Sequence, residues 1–236
     1  MQAIDRVEAA TEADELAYVL SHDLRASARA LKELPAWIRE DLKESAIELP
    51  EDINGHVDLL VRHADRLDRM LLDLLKYSRV GRKEPATIID VASLLPNALL
   101  KMQIAPPKDV QIEGNIEGRL NIAPCEAADL IHILVDNALM HGGDTIRLSC
   151  ETTESHVELR VCDDGPGIPE HKVEAVFLPL QTSMRRDEAE GTGMGLAIAN
   201  KIVTQASGQI FVSQTGTQFA VIVRFPCASR MACAHH

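Results

Sequence analysis

Three short stretches of this chain carry residue types at spacings that could do chemistry. In "ILVDNALMHGG" (133–143), Asn137 and His141 stand one turn apart and share a face if the segment is helical. An amide near a helix end, aimed into a cleft, can ligate Mg²⁺ through its carbonyl oxygen; capping a backbone group is the commoner use. In "CDDGPGIPEH" (162–171), Asp163 ends the strand-like run "HVELRV" and points its carboxylate into whatever cavity lies there. Such an acceptor could take the exocyclic amine of a purine. Gly165 and Gly167 remove side chains, so a flat base can approach the backbone; alone, the same letters spell an ordinary turn.

The third stretch, "GTGMGL", opens a helix with Gly191, Thr192, Gly193, Met194, Gly195 and Leu196. Its free N–H groups at a positive dipole end suit a phosphate. No Lys-Ser/Thr follows, so it is not a P-loop, and the strand–turn–helix unit of the dinucleotide fingerprint is missing. Before it lies "QTSMRRDEAE" (181–190), where Arg185 and Arg186 could neutralise phosphate. That segment reads as a lid or as a charged surface loop.

Composition bounds what such a site can serve. The chain has 236 residues, 46 % hydrophobic and only 3 % aromatic, with a net charge of −12. Duplex nucleic-acid binding calls for the opposite charge balance and is not expected. The five cysteines, Cys125, Cys150, Cys162, Cys227 and Cys233, are odd in number and form no C-x-x-C pair, against a disulfide framework or zinc site. No apolar run reaches the length of a membrane span and no signal peptide opens the chain, so a soluble, cytoplasmic segment is expected.

The elements that must position these residues fall into two groups. Leu16, Leu20, Leu24, Ser27, Leu31, Leu34, Ile38 and Leu42 draw one stripe down a helix, which Pro35 should kink or loosen near residue 31. Ile53, Val57, Leu60, Ala64, Leu67, Leu71 and Leu74 form a heptad seam on a second helix. "SAIELPEDINGH", with Pro50 and Gly55, should turn the chain back into an antiparallel hairpin. One apolar stripe per helix is best buried by pairing two hairpins, so a homodimeric four-helix bundle is expected. Beyond "YSRVGRKEPAT", strand-like and helical runs alternate, ending in the strand pair "GQIFVSQ" and "TQFAVIVRF" around Thr215 and Gly216. The expected fold is α+β: a helical hairpin (1–80), a linker (81–87), an α/β sandwich with a mixed sheet (88–228) and a tail (229–236).

The order Asn in a helix, D-x-G-x-G-I with Ile168, F-x-P with Phe177, a lid, then G-x-G-x-G-L resembles the ATP-binding domain of sensor histidine kinases. That fold is shared with gyrase-type, mismatch-repair and heat-shock chaperone ATPases. Upstream, "YVLSHDLRASARAL" resembles the phosphoacceptor box of a dimerising histidine kinase domain, and "RLDRMLLDLLKYSRVGR" its second helix. The resemblance covers roughly residues 12–226. It implies that Asp163 reads the adenine amine, that Gly165 and Gly167 make room for the base, and that Asn137 holds Mg²⁺ on the phosphates. Gly193 and Gly195 would bind those phosphates under a lid anchored by Phe177.

The same resemblance makes His22 the phosphoacceptor. On a helix it lies about 200° from Leu20 and Leu24, away from the apolar stripe. Neutral imidazole would attack the γ-phosphorus of ATP, with Asp23 as general base or orienter of the other ring nitrogen. An aspartate of a response-regulator receiver domain would then take the phosphoryl group, with Arg25 and Arg29 available for docking. Input would come from an upstream sensor domain or a separate partner. The sequence departs from the family pattern at Ala26, Ser27, Ile133, Met140 and Leu180; Ala26 cannot orient a water, which puts phosphatase activity in doubt. The competing readings are a non-kinase histidine phosphotransfer protein with a vestigial ATP-binding domain, and a purely regulatory dimerisation module.

Overall fold

The computed structural model describes residues 24–82, 84–100, 109–114, 116–181, 191–215 and 218–227. It divides into two compact units, one formed by Met1–Arg79 with Ala189–Thr192, the other by Val80–Glu188 with Gly193–His236.

The first unit is a helical hairpin. Helix α1 covers 24–44 and runs without a break through Pro35, and α2 spans Glu51–Arg79. Acidic Glu51 and Asp52 begin α2 and basic Lys76 and Arg79 end it, the order that complements the helix dipole. The turn is a Schellman closure: Ile47 N–H donates to Leu42 O (2.9 Å) and Ala46 N–H to Lys43 O (3.1 Å). Ala46 takes the left-handed position usually given to glycine, with φ +54°. The connection is thus shorter than the sequence suggests. Gly55 lies inside the second turn of α2, because Pro50 already supplies the helix start, its carbonyl accepting from Ile53 and Asn54 N–H.

Ion pairs set the register of this hairpin. Arg25, Lys32 and Arg39, seven residues apart on α1, face Asp68, Asp65 and Asp58 on α2 at 3.6, 2.8 and 2.6 Å. Ascending on one helix and descending on the other, the ladder fits only an antiparallel pair. Few residues are buried: Ala28 and Pro35 on α1 and Ala64, Leu71, Leu75 and Ser78 on α2. Leu24, Leu31, Leu34 and Ile38 of the expected stripe, and Ile53, Leu60 and Leu67 of the expected seam, remain exposed.

The second unit is built on a five-stranded sheet of order β2-β4-β5-β7-β6, comprising β2 (Asp109–Glu113), β4 (Thr145–Thr152), β5 (His156–Asp163), β6 (Gln209–Thr215) and β7 (Gln218–Pro226). β2 runs parallel to β4 and the other pairs are antiparallel, which makes the sheet mixed. A separate ribbon pairs β1 (Thr87–Asp90) with β3 (Arg119–Ile122). Helices α3 (Val91–Leu100), α4 (Pro124–His141) and α5 (Gly195–Gln205) complete the unit. α4 packs on α3, α5, β4 and β5. The core is apolar: Leu130, Ile131, Leu134 and Val135 of α4 and Ile198, Ile202 and Val203 of α5 are buried, as are Leu159, Val161, Val221 and Val223 of the sheet.

Period-two alternation in β5 places Val157, Leu159, Val161 and Asp163 on one face, all buried. On the opposite face Glu158 receives Arg160 Nη2 (2.9 Å) and Arg224 Nη2 (2.7 Å), and Arg224 also lies 5.0 Å over the Phe211 ring. Burial pushes the Glu158 carboxyl up. The hydrogen bonds and charges of the two arginines outweigh it and hold the group below the usual carboxylate range.

Candidate active site

Asp163 is the last inward-facing residue of β5, so the strand's own alternation delivers a carboxylate to the edge of the core. It is buried, and its Oδ1 accepts the N–H of Gly165 at 2.9 Å. α4 ends directly above it. Gly142 closes that helix by donating to Ala138 O at 2.8 Å, and a Cβ on Gly142 would meet Asp163 Cβ at 2.7 Å. A Cβ on Gly165 would lie 2.5 Å from Gly142 Cα and 2.7 Å from His141 O. Main chain meets main chain here.

This contact gives Gly165 a packing reason beside the base approach expected from the sequence: without a side chain, the strand end docks under the C-terminus of α4. Gly167 has a different reason again. Its φ is +70°, a left-handed conformation, and its open side is filled by the Gln214 amide of β6. Gly142 and Gln214 were absent from the sequence-derived site. The "HGG" that ends the α4 pattern was the available signal for the first; nothing local announces the second.

Asn137 and His141 lie on α4 one turn apart, both half-buried. Met194 is fully buried and precedes α5, whose first turn has no side-chain cap. A Cβ on Gly195 would sit 3.5 Å from Ile133 Cγ2, so the uncapped start of α5 lies beside the α4 turn that precedes Asn137. Gly193 holds φ +72°, and a Cβ there would meet Gln181 O at 2.6 Å. Leu196 is buried on α5, while Ile168 and Phe177 are half-buried. One end of the unit therefore gathers the α4 C-terminus, the β5 end and the α5 N-terminus.

Residues 126–229 match the family "Histidine kinase-, DNA gyrase B-, and HSP90-like ATPase". "Probable sensor histidine kinase TcrY" of Mycobacterium tuberculosis is 32 % identical over 217 residues, 85 % of this chain and 43 % of that protein. "Adaptive-response sensory kinase SasA" of a Synechococcus species is 31 % identical over 216 residues, 84 % of this chain and 55 % of its own length.

The chain belongs to the sensor histidine kinases.

The family's solved structures repeat both parts of the fold. The catalytic domain of histidine kinase ThkA covers 61 % of this chain and 97 % of its own, with TM-score 0.54 and 25 % identity. Histidine kinase ThkA in complex with response regulator protein TrrA covers 98 % of this chain and 67 % of its own, with TM-score 0.66 and 20 % identity. This sensor histidine kinase chain spans about half the length, or less, of the curated relatives it matches.

The remaining expected site residues stand as follows. His22, Asp23, Arg185 and Arg186 lie outside the described residues. Gly191 and Thr192 fall outside the second unit's compact body. Arg25, expected to be available for a partner, is engaged with Asp68, whereas Arg29 is exposed. Among the described residues no group of three His, Cys, Asp or Glu could hold a metal, and no helix is long and apolar enough to cross a membrane. No disulfide joins the four described cysteines.

Proposed function

We propose that the chain is an ATP-dependent protein-histidine kinase that phosphorylates its own His22 and passes the phosphoryl group to an aspartate of a response-regulator receiver domain. The observation that carries the reading is the convergence of Asp163, the Asn137 turn of α4 and the uncapped N-terminus of α5 at one end of the second unit. Together they offer an acceptor for an exocyclic amine, an amide oxygen, and a row of backbone N–H donors. That donor set fits an adenine nucleotide. The positive φ of Gly193 and the small Gly195 keep side chains out of the phosphate end.

Asn137 is the residue that would hold Mg²⁺, and Mg²⁺ would disperse charge over the phosphates. A single protein ligand suits this metal, which draws its other ligands from phosphate oxygens and water. Ile168 and Leu196 flank the base and phosphate ends, His141 stands at the rim, and Phe177 anchors a lid carrying Arg185 and Arg186. Met194 lies in the proposed phosphate loop, and Gly191 and Thr192 lead into it along the chain.

In the reaction the His22 imidazole nitrogen bonds to the γ-phosphorus as the bond to the β–γ bridging oxygen breaks, giving phosphohistidine and ADP. Asp23 orients the ring through its other nitrogen or takes its proton. The exposed leucines and isoleucines of α1 and α2 support a homodimeric four-helix bundle, since each hairpin alone leaves its apolar faces in water. The boundaries proposed are 1–80 for dimerisation and phosphotransfer, 81–87 for the linker and 88–228 for catalysis, acting in the cytoplasm. The relatives' greater length supports an upstream sensor domain, or a separate input partner.

The test is incubation with Mg²⁺ and γ-labelled ATP, beside His22→Ala and Asn137→Ala. Acid-labile, base-stable label on the wild type and on neither variant is the expected outcome. A folded wild type that takes no label from ATP but accepts it from a phosphorylated receiver domain would instead favour the histidine phosphotransfer reading.

A further inference from the structure

Between the end of α2 at Arg79 and the start of β1 at Thr87 the sequence looks like a hinge, charged and carrying Gly81 and Pro85. The structure pins it. Gly81 N–H donates to Glu126 Oε1 at 2.5 Å, and Cys125 N–H donates to Glu84 Oε1 at 2.5 Å. The partners are 45 and 41 residues apart in sequence, and Cys125 and Glu126 both lie in the first turn of α4.

Three further features belong to the same arrangement. α4 has no side-chain cap of its own, since its N-cap residue is Ala123. Glu84 therefore supplies a carboxylate to the positive end of the helix from elsewhere in the chain. Glu126 is 6 % exposed. A carboxylate so enclosed needs its hydrogen bond, because an unpaired buried acceptor is costly. Gly81 holds φ +83°, and a Cβ on it would lie 3.3 Å from the Gln205 side chain at the end of α5. Val80, the residue before it, is buried.

We propose that Glu126 and Glu84 latch the segment between the units onto the N-terminal end of α4 and act as positioning residues for phosphoryl transfer to His22. The proposal rests on the kinase reading above. With the latch closed, the tether from Arg79 ends two residues later, at Gly81; released, it extends eight residues to Thr87. A fully extended chain spans about 3.3–3.6 Å per residue, so release raises the reach from about 7 Å to about 28 Å. A flexible tether four times longer dilutes one unit at the other by roughly the 3/2 power of length, about eightfold. The latch acts on α4, the helix that also carries Asn137.

The test uses the full 236-residue chain with the double variant Glu84→Ala/Glu126→Ala and the pair Glu84→Gln/Glu126→Gln, which retains an acceptor oxygen at each position. Four quantities are read: the initial rate of acid-labile labelling at saturating ATP, KM for ATP, calorimetric ATP affinity, and amide exchange at Gly81 and Cys125. The alanine pair is expected to lower the saturating rate about eightfold, leave KM and ATP affinity within about twofold, and free both amides. The glutamine pair is expected to behave as wild type. An unchanged rate with both amides freed, a loss of ATP affinity that accounts for the slower rate, or a glutamine pair as slow as the alanine pair would overturn the proposal. If the wild type takes no label, the kinase reading falls, and amide exchange alone judges the latch. Protected amides that the alanine pair frees would uphold it, and unprotected ones would overturn it.

Discussion

The two units of this chain are held together in opposite ways. The second encloses a continuous apolar core in which Leu134, Val135 and Val203 lose all contact with water. The hairpin buries a handful of mostly small residues and lines up three ion pairs instead. Exposed pairs contribute about 0.2–1 kcal/mol each, so the ladder fixes register more than it stabilises. Its apolar faces are left for something else to cover. A unit that completes itself suits a site with fixed geometry; one that does not suits assembly.

The sharpest way to break this contrast is to cut leucines from each unit. Leu134→Ala should cost about 2–5 kcal/mol in chemical denaturation of the second unit, since the cavity forms in a closed core. Leu60→Ala removes a side chain that is 48 % exposed and should change stability by less than about 0.5 kcal/mol in dilute protein. At higher concentration the same variant should weaken dimerisation, read by analytical ultracentrifugation. Equal costs in dilute solution would mean that the hairpin is as self-sufficient as its neighbour.

Gly165→Ala comes next. Its Cβ would press on Gly142 Cα and His141 O, and an overpacked backbone contact costs about 1–3 kcal/mol. Nucleotide affinity should fall with it, because the strand end and the α4 terminus can no longer close. Full stability together with full affinity would remove the packing role assigned to this glycine.

Charge behaves differently in the two units. Glu158 is held below the usual carboxylate range by Arg160 and Arg224 despite its burial. Its contribution is therefore present above that range and lost as pH falls through it. Glu158→Gln should lower stability most near neutral pH, with the gap closing in acid. On the hairpin, the Asp65 hydrogen bond and charge hold the exposed Lys32 ammonium above its ordinary range. Its small contribution is present below that range and lost as alkaline pH rises through the raised value. Lys32→Asp should weaken the hairpin, and adding Asp65→Lys should restore it by rebuilding the pair in reverse. One change is expected to be a gain: Ala46→Gly should raise stability by about 1 kcal/mol, because Ala46 sits at φ +54°.

Much of this was legible in the sequence, for particular reasons. The strands β4 to β7 and the helices α3 to α5 announce themselves through periodicity, and the order of Asn137, Asp163 and the glycines announces the family. The charge ladder is not legible in the apolar pattern, because Arg25, Lys32 and Arg39 keep the same seven-residue step but find their partners only on the second helix. β1 was passed over because "TIID" is four residues long and gains its meaning only from β3. The true neighbours of Gly165 and Gly167 are set by tertiary packing, and so is the attachment of Gly81 to Glu126. No local pattern encodes a partner 45 residues away.

The central claim is that the end of β5 reads an adenine nucleotide through Asp163. Calorimetric titration of ATP and GTP into the wild type and Asp163→Asn tests it most directly. The account predicts that ATP binds the wild type, that GTP binds far more weakly because it presents a carbonyl where adenine has an amine, and that Asp163→Asn loses most of the affinity for ATP. Equal binding of both nucleotides, or an Asp163→Asn variant that binds ATP as the wild type does, would contradict it.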